Sequence, residues 1–553
     1  MTRSLIVALL IGVVACSDAD ESQGVTDAGA DGGGQDDGAS PMVDASGNSC
    51  SLPPAAPGVV FIDTGAVRGK AAAADSAVTA FLGIPYAAPP TGERRFRPPA
   101  AAACWSGVRE ATDFGPICPQ RPVEQGKPGD PNAALQGNED CLTLNVWTRL
   151  QSTTAPKPVM LFIHGGGNMQ GAGSEPFYDG TALSEKGGVV VVTFNYRLGA
   201  LGFLSHPALS AERDEKVSGN YGVLDQLAVL KWVKRNIAAF GGDPNRVLVF
   251  GESAGGVNTC TLVASPLAAG LFHRALVQSG GCVGNASLAE GEAEGLALGS
   301  KAGCTTSDVA ACLRAKTAQE IIDAGPKNLS LGLKQGAGEY GSVVDGFVLK
   351  EVPLAAIRSG RHNKVPIVFG ANADETNLMI GAGPKTALEY VAWLGDLFGP
   401  TLAARVLKQY PVSRFTSPRE AAVAVTSDYR FICPSVFYAD AAVIGGSPTV
   451  FHYLFSKARD VSPAAALLGA YHGVEIAYLF QTLKMATPTE SSLANAMLGY
   501  WSRFAATGDP NGGEAPLWPG YGAGVKKSLR LDSPIVVADG VRTDDCAFWL
   551  STL

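Results

Sequence analysis

An apolar run at residues 246–250 (RVLVF) passes without a break into Gly251-Glu252-Ser253-Ala254-Gly255, and residues 256–263 can open a helix. A G-x-S-x-G pentapeptide between a strand and a helix implies a sharp, strained turn with the serine exposed at its apex. The flanking glycines let strand and helix pack closely. This context, more than the pattern alone, commits the chain to strand–turn–helix units and so to an α/β architecture. The rest of the body agrees. Runs at 142–147, 159–164, 189–195, 275–278, 365–370 and 450–455 are continuous in apolar residues rather than alternating. Such runs mark strands of a large, mostly parallel sheet covered on both faces. Between 220 and 239, Val223, Leu227, Leu230, Val233 and Ile237 recur at three- and four-residue spacing and predict a helix with one apolar stripe. Shorter β-rich runs stand at 59–63, 66–70 and 79–86, while 286–364 and 385–447 read as helical insertions capping one end of the sheet.

A serine hydroxyl becomes a useful nucleophile only with a base in reach and donors for the developing oxyanion. Upstream of Ser253, the strand-like VMLFI at 159–163 runs into His164-Gly165-Gly166-Gly167. Glycines there let backbone N–H groups approach a tetrahedral intermediate without side-chain obstruction. The loop lacks the lysine and hydroxyl of a phosphate-binding P-loop. In this layout the acid follows the serine and the histidine comes last. Of the six histidines, His164 belongs to the glycine loop, and His206 and His273 lie too near Ser253 in the chain. His452 falls within the strand run TVFHYLF, and His362 in a polar surface run at 358–364. His472, in the loop GAYHG, is the expected general base. The acid is expected after the 365–370 strand, where Asp374 and Glu375 adjoin and spacing alone does not separate them.

The first 15 residues (MTRSLIVALLIGVVA) carry one early charge and an apolar run too short to span a bilayer. They read as a secretory signal, and Val13-Val14-Ala15-Cys16 resembles a bacterial lipobox, with Cys16 as the lipidated N-terminus. Residues 16–57 then form an acidic Asp/Gly/Ala linker that cannot bury enough apolar surface to order itself, and 58–553 the catalytic domain. Localisation at a membrane by the lipid alone follows, or secretion if the signal is an ordinary one. Of the net charge of −8, all but −1 resides in the first 49 residues. The body therefore has no basic excess to recruit nucleic acid. Eleven cysteines leave an even ten once Cys16 is set aside, which in an exported protein suggests disulfides.

With these residues in place the chain resembles the type-B carboxylesterase family, which includes cholinesterases and many microbial esterases and lipases. The motifs at 81–87 (FLGIPYA), 139–146 (EDCLTLNV), 195–197 (NYR) and 240–244 (FGGDP) carry the likeness beyond the serine pentapeptide. The resemblance implies an α/β-hydrolase fold and a serine hydrolase acting on small-molecule carboxylic esters, without metal or cofactor. It selects Glu375 as the acid, although Thr376 stands where the family usually has glycine. It implies oxyanion donors at the amides of Gly166, Gly167 and Ala254. It also implies disulfides Cys118–Cys141, Cys304–Cys312 and Cys433–Cys546, and parity then suggests Cys50–Cys104 and Cys260–Cys282. Two alternatives accompany this reading: a binding or adhesion protein on the same fold, or an amidase.

Overall fold

The computed structural model describes residues 53–552 apart from 55, 73–76, 122–132, 151–154, 282–284, 327–339 and 523, together with two short strands, Met42–Val43 and Ser49–Cys50. Its centre is an 11-stranded sheet. In chain order the strands are β1 (Lys70–Ala71), β2 (Thr79–Pro85), β3 (Thr143–Thr148), β4 (Lys157–Ile163), β5 (Val190–Phe194), β6 (Gly242–Glu252), β7 (Arg274–Gln278), β8 (Ile367–Asn372), β9 (Val450–Phe455), β10 (Lys527–Leu531) and β11 (Val536–Asp539). Across the sheet they run β11-β10-β9-β8-β7-β6-β4-β5-β3-β2-β1. Every pair from β10 to β5 is parallel, while β11 at one edge and β3, β2 and β1 at the other are antiparallel to their neighbours. The α/β-hydrolase architecture therefore holds.

Why the central strands are apolar throughout is visible in their alternation. Val247 and Val249 of β6 join one core with Val159 and Leu161, whereas Leu248 and Phe250 join a second core with Met160 and Phe162. Helix α1 (Tyr221–Asn236) and helix α2 (Ala254–Ala264) cover the first face through Val223, Leu227, Leu230, Val233 and Leu262. The long helix Pro488–Thr507 covers the second through Met497, Trp501 and Phe504. Each fully buried side chain of this kind stabilises by about 1.5–3 kcal/mol, so neither face can be left to solvent.

Several expectations shift in detail. The 142–147 run is a strand, but β3 pairs antiparallel on both sides; it is buried throughout, and a continuous apolar run reports that burial rather than strand direction. The 66–70 run divides between two sheets: Gly65–Arg68 joins Val59–Ile62 and Val108–Glu110, and Lys70 begins β1. The 220–239 helix ends at Asn236 and tightens into a 3₁₀ turn, Ile237–Phe240, closed by Gly241 at φ 76°. β10 and β11 have no counterpart in the sequence reading. They are short strands at one end of the sheet, β11 at its edge and β10 beside it, with Lys527, Arg530 and Asp539 interleaved, whereas long apolar runs are what mark a strand in the sequence.

The two insertion regions are helical, including Leu288–Lys301 in the first and Ala387–Gln409, Pro418–Ser427 and Cys433–Ile444 in the second. A π-helical turn, Asp428–Ile432, joins the last two. Among the described residues no helix is long and apolar enough to cross a membrane. Disulfides join Cys118 to Cys141, Cys304 to Cys312, and Cys433 to Cys546. Cys104 and Cys260 are also disulfide-bonded, while Cys282 and the Cys50 side chain lie outside the described residues, as does Cys16. Three such bridges fit an oxidising compartment.

Candidate active site

The parallel register decides where the polar residues meet. Ile163 at the end of β4 sits opposite Gly251, Glu252 opposite Gln278, and Gln278 opposite Gly370. The segments leaving β4, β6, β7 and β8 therefore emerge side by side at the carboxyl edge of the sheet. Strand order also reverses there, since β4 lies between β5 and β6, and such a crevice is the usual ligand site of an open α/β sheet.

Ser253 stands between β6 and α2 with φ 58° and ψ −124°. A non-glycine residue held there stores about 1–3 kcal/mol of strain and persists only because the surroundings over-determine it. The glycines are sterically obligatory. A Cβ on Gly255 would lie 1.9 Å from the Ile163 carbonyl oxygen, and one on Gly251 would lie 2.4 Å from that of Gly255. The glycine loop runs against the same turn, for a Cβ on Gly165 would approach the Ser253 Cβ to 2.9 Å. The backbone N–H groups of Gly166, Gly167 and Ala254 donate to no group among the described residues.

His472 is brought in by a loop zipped to the segment after β8. The Asp374 N–H donates to the Ala470 carbonyl, the Ala470 N–H to Asp374 Oδ2, and the His472 N–H to the Glu375 carbonyl. The side chains then divide the work. Asp374 is consumed in pinning the loop, whereas Glu375, fully buried, accepts from the Asn372 N–H at 2.8 Å and from His472 Nδ1 at 2.6 Å. Phe431, from the π-helical turn, lies with its ring 4.8 Å from the imidazole. Ser253, Gly167, Ala254 and His472 all line one cavity of about 460 Å³. Phe203, Leu298, Tyr340 and Phe431 form its apolar walls.

Two further buried carboxylates belong to this site. Glu252 Oε1 lies 3.2 Å from His472 Nε2. Glu475 accepts from Asn372 Nδ2 at 2.5 Å and Gln278 Nε2 at 3.2 Å. Three carboxylates thus surround one imidazole. Burial disfavours the imidazolium, but Glu252 and Glu375 outweigh it and push His472 up to about 9. Burial also pushes Glu252 and Glu475 upward, His472 opposing and Glu375 adding to the effect in each. Glu252 is legible in the pentapeptide itself, whereas nothing in the chain spacing points to Glu475.

The other histidines are occupied elsewhere. His452 is fully buried between Ser435 and Ser528 at 2.9 Å each, and burial drives it down to about 3. His164 stacks on Tyr196 with ring centroids 4.4 Å apart. His362 is half-buried rather than a surface group, with Nε2 2.8 Å from the Ser447 hydroxyl.

Comparison with known proteins places these features in a lineage. The model of the carboxylesterase family matches residues 56–549. A fumonisin B1 esterase from Sphingopyxis macrogoltabida is 38% identical over 83% of this chain and 83% of its own. A liver carboxylesterase 1 from Oryctolagus cuniculus and a liver carboxylesterase from Sus scrofa are each 35% identical over 90% of this chain and 93% of theirs. The chain belongs to the carboxylesterase family and is a carboxylic ester hydrolase.

Proposed function

We propose that ester hydrolysis proceeds through an acyl-enzyme on Ser253, with His472 as general base and Glu375 as its orienting acid. The observation that best supports this is the 2.6 Å bond from His472 Nδ1 to the buried Glu375, on a loop that shares its cavity with Ser253. Glu375 holds the ring proton on Nδ1, leaving Nε2 to take the proton from the serine hydroxyl as Oγ attacks the ester carbonyl. The amides of Gly166, Gly167 and Ala254 receive the oxyanion. Nε2 then returns its proton to the departing alcohol. Water attacks the acyl-enzyme by the same route, releasing the acid and restoring the serine. An alkyl fluorophosphonate should label Ser253 stoichiometrically, read by intact mass, and label Ser253→Ala not at all. A labelled Ser253→Ala protein would overturn the assignment.

We also propose that the protein is exported and anchored by a lipid on Cys16, from the apolar segment and lipobox-like run in residues outside the described part. Cys16→Ser should move it from the membrane to the soluble fraction, while salt leaves the wild type bound. A membrane pool that persists in the variant would refute the anchor.

A further inference from the structure

Asn168 follows the glycine loop directly, and its φ of 54° continues the left-handed run of Gly166 at 101° and Gly167 at 65°. The last member is asparagine, which enters this region more readily than other L-residues because its short polar side chain can hydrogen-bond locally. Here those hydrogen bonds are made to other elements of the fold.

Asn168 is 2% exposed. Its Oδ1 accepts from Asn258 Nδ2 at 2.8 Å and shares the Tyr196 hydroxyl, at 3.2 Å, with the His164 carbonyl at 2.9 Å. Its Nδ2 donates to the Tyr340 carbonyl at 3.0 Å, and its own carbonyl accepts from the Gly199 N–H at 2.6 Å. Asn258 is fully buried on α2, the helix that begins at Ala254. One side-chain hydrogen bond therefore ties the loop bearing the Gly166 and Gly167 amides to the helix bearing the Ala254 amide.

We propose that the Asn168–Asn258 pair is a positioning device. It fixes the separation of the two halves of the oxyanion site, so that three amides from different elements converge on one oxygen. The inference rests on the oxyanion assignment above. Donors act at 2.7–3.1 Å from the oxyanion, within roughly that tolerance, so a loop released from the helix loses transition-state binding while ground-state binding is spared. Asn168 and Asn258 touch no reacting atom in this scheme.

The test compares Asn258→Asp, Asn258→Ser, Asn168→Ala and the double variant Asn168→Ala/Asn258→Ser. Turnover is normalised to active sites titrated with a fluorophosphonate, so unfolded molecules are not counted. Asn258→Asp is nearly isosteric but sets two acceptors face to face. It should lower kcat about tenfold or more, less than the 100- to 1000-fold of losing a donor outright, with KM little changed. Affinity for an alkyl trifluoromethyl ketone, whose adduct carries the oxyanion, should fall by the same factor as kcat/KM. Asn258→Ser, which keeps a donor, should recover part of the loss, and the double variant should be little worse than Asn168→Ala. Normal kcat per titrated site in Asn258→Asp and Asn168→Ala would overturn the proposal, as would a loss confined to KM. A wild-type enzyme that does not titrate at all would instead overturn the Ser253 assignment.

Discussion

Ser253→Ala and His472→Ala are each expected to lower kcat by on the order of 10⁶-fold, and Glu375→Gln by on the order of 10⁴-fold, read as turnover per folded molecule. The Glu375 substitution is isosteric yet cannot serve both partners. Its amide oxygen can accept from His472 Nδ1 only if its NH₂ group faces the Asn372 N–H, a donor against a donor. Turned the other way, the NH₂ donates to Nδ1 and drives the ring proton onto Nε2, the nitrogen that must accept from serine. In the proposed mechanism the three groups act as a unit, so the Ser253→Ala/His472→Ala double variant should be little slower than either single one. His452 supplies the control. It is sealed between Ser435 and Ser528, so replacing it should change stability but not turnover per folded molecule. Near-normal kcat in His472→Ala would remove it as the base.

Glu252→Gln should move the acid limb of the pH–rate profile. The proposed mechanism needs neutral His472, and the wild-type imidazole is held up at about 9 by Glu252 and Glu375 against burial. kcat/KM is therefore expected to climb with pH and to be half-maximal well above 6.5. Removing the carboxylate 3.2 Å from Nε2 should lower that midpoint by about 1–3 pH units, the usual effect of one close opposite charge. Stability should move in the opposite sense. A histidine whose folded pKa is raised contributes stability that is fully present below its unfolded value of 6.5 and lost as pH rises through about 9. The wild type should thus lose melting temperature across that window, and Glu252→Gln should lose less. An acid limb unmoved by the substitution would mean that Glu252 is not ionised beside His472 in the working enzyme.

Local chemistry was legible where it is written in consecutive residues. The strand RVLVF, the pentapeptide after it and the glycine loop after VMLFI declare their conformations in the chain. Only glycine fits beside the Ile163 carbonyl, and only continuous apolar runs survive between two cores. Elimination could also discard His452, because a strand interior offers a histidine no route to a crevice. What the chain could not declare is anything set by residues far apart in it. Asp374 and Glu375 are adjacent, and which of them meets His472 depends on how a loop about a hundred residues later zips onto β8. Glu475, the Asn168–Asn258 bond and the short strands β10 and β11 are of the same kind. The sequence by itself determined the strand–turn–helix scaffold and the residue types of the site, since those follow from sterics and hydrophobic burial within a few residues. Residue spacing left open, and the tertiary structure decided, which carboxylate lies against His472, how many buried carboxylates surround it, and which side chains bond the glycine loop to its neighbours. Those depend on side chains joined at hydrogen-bonding distance by the sheet register, and no local pattern encodes that register.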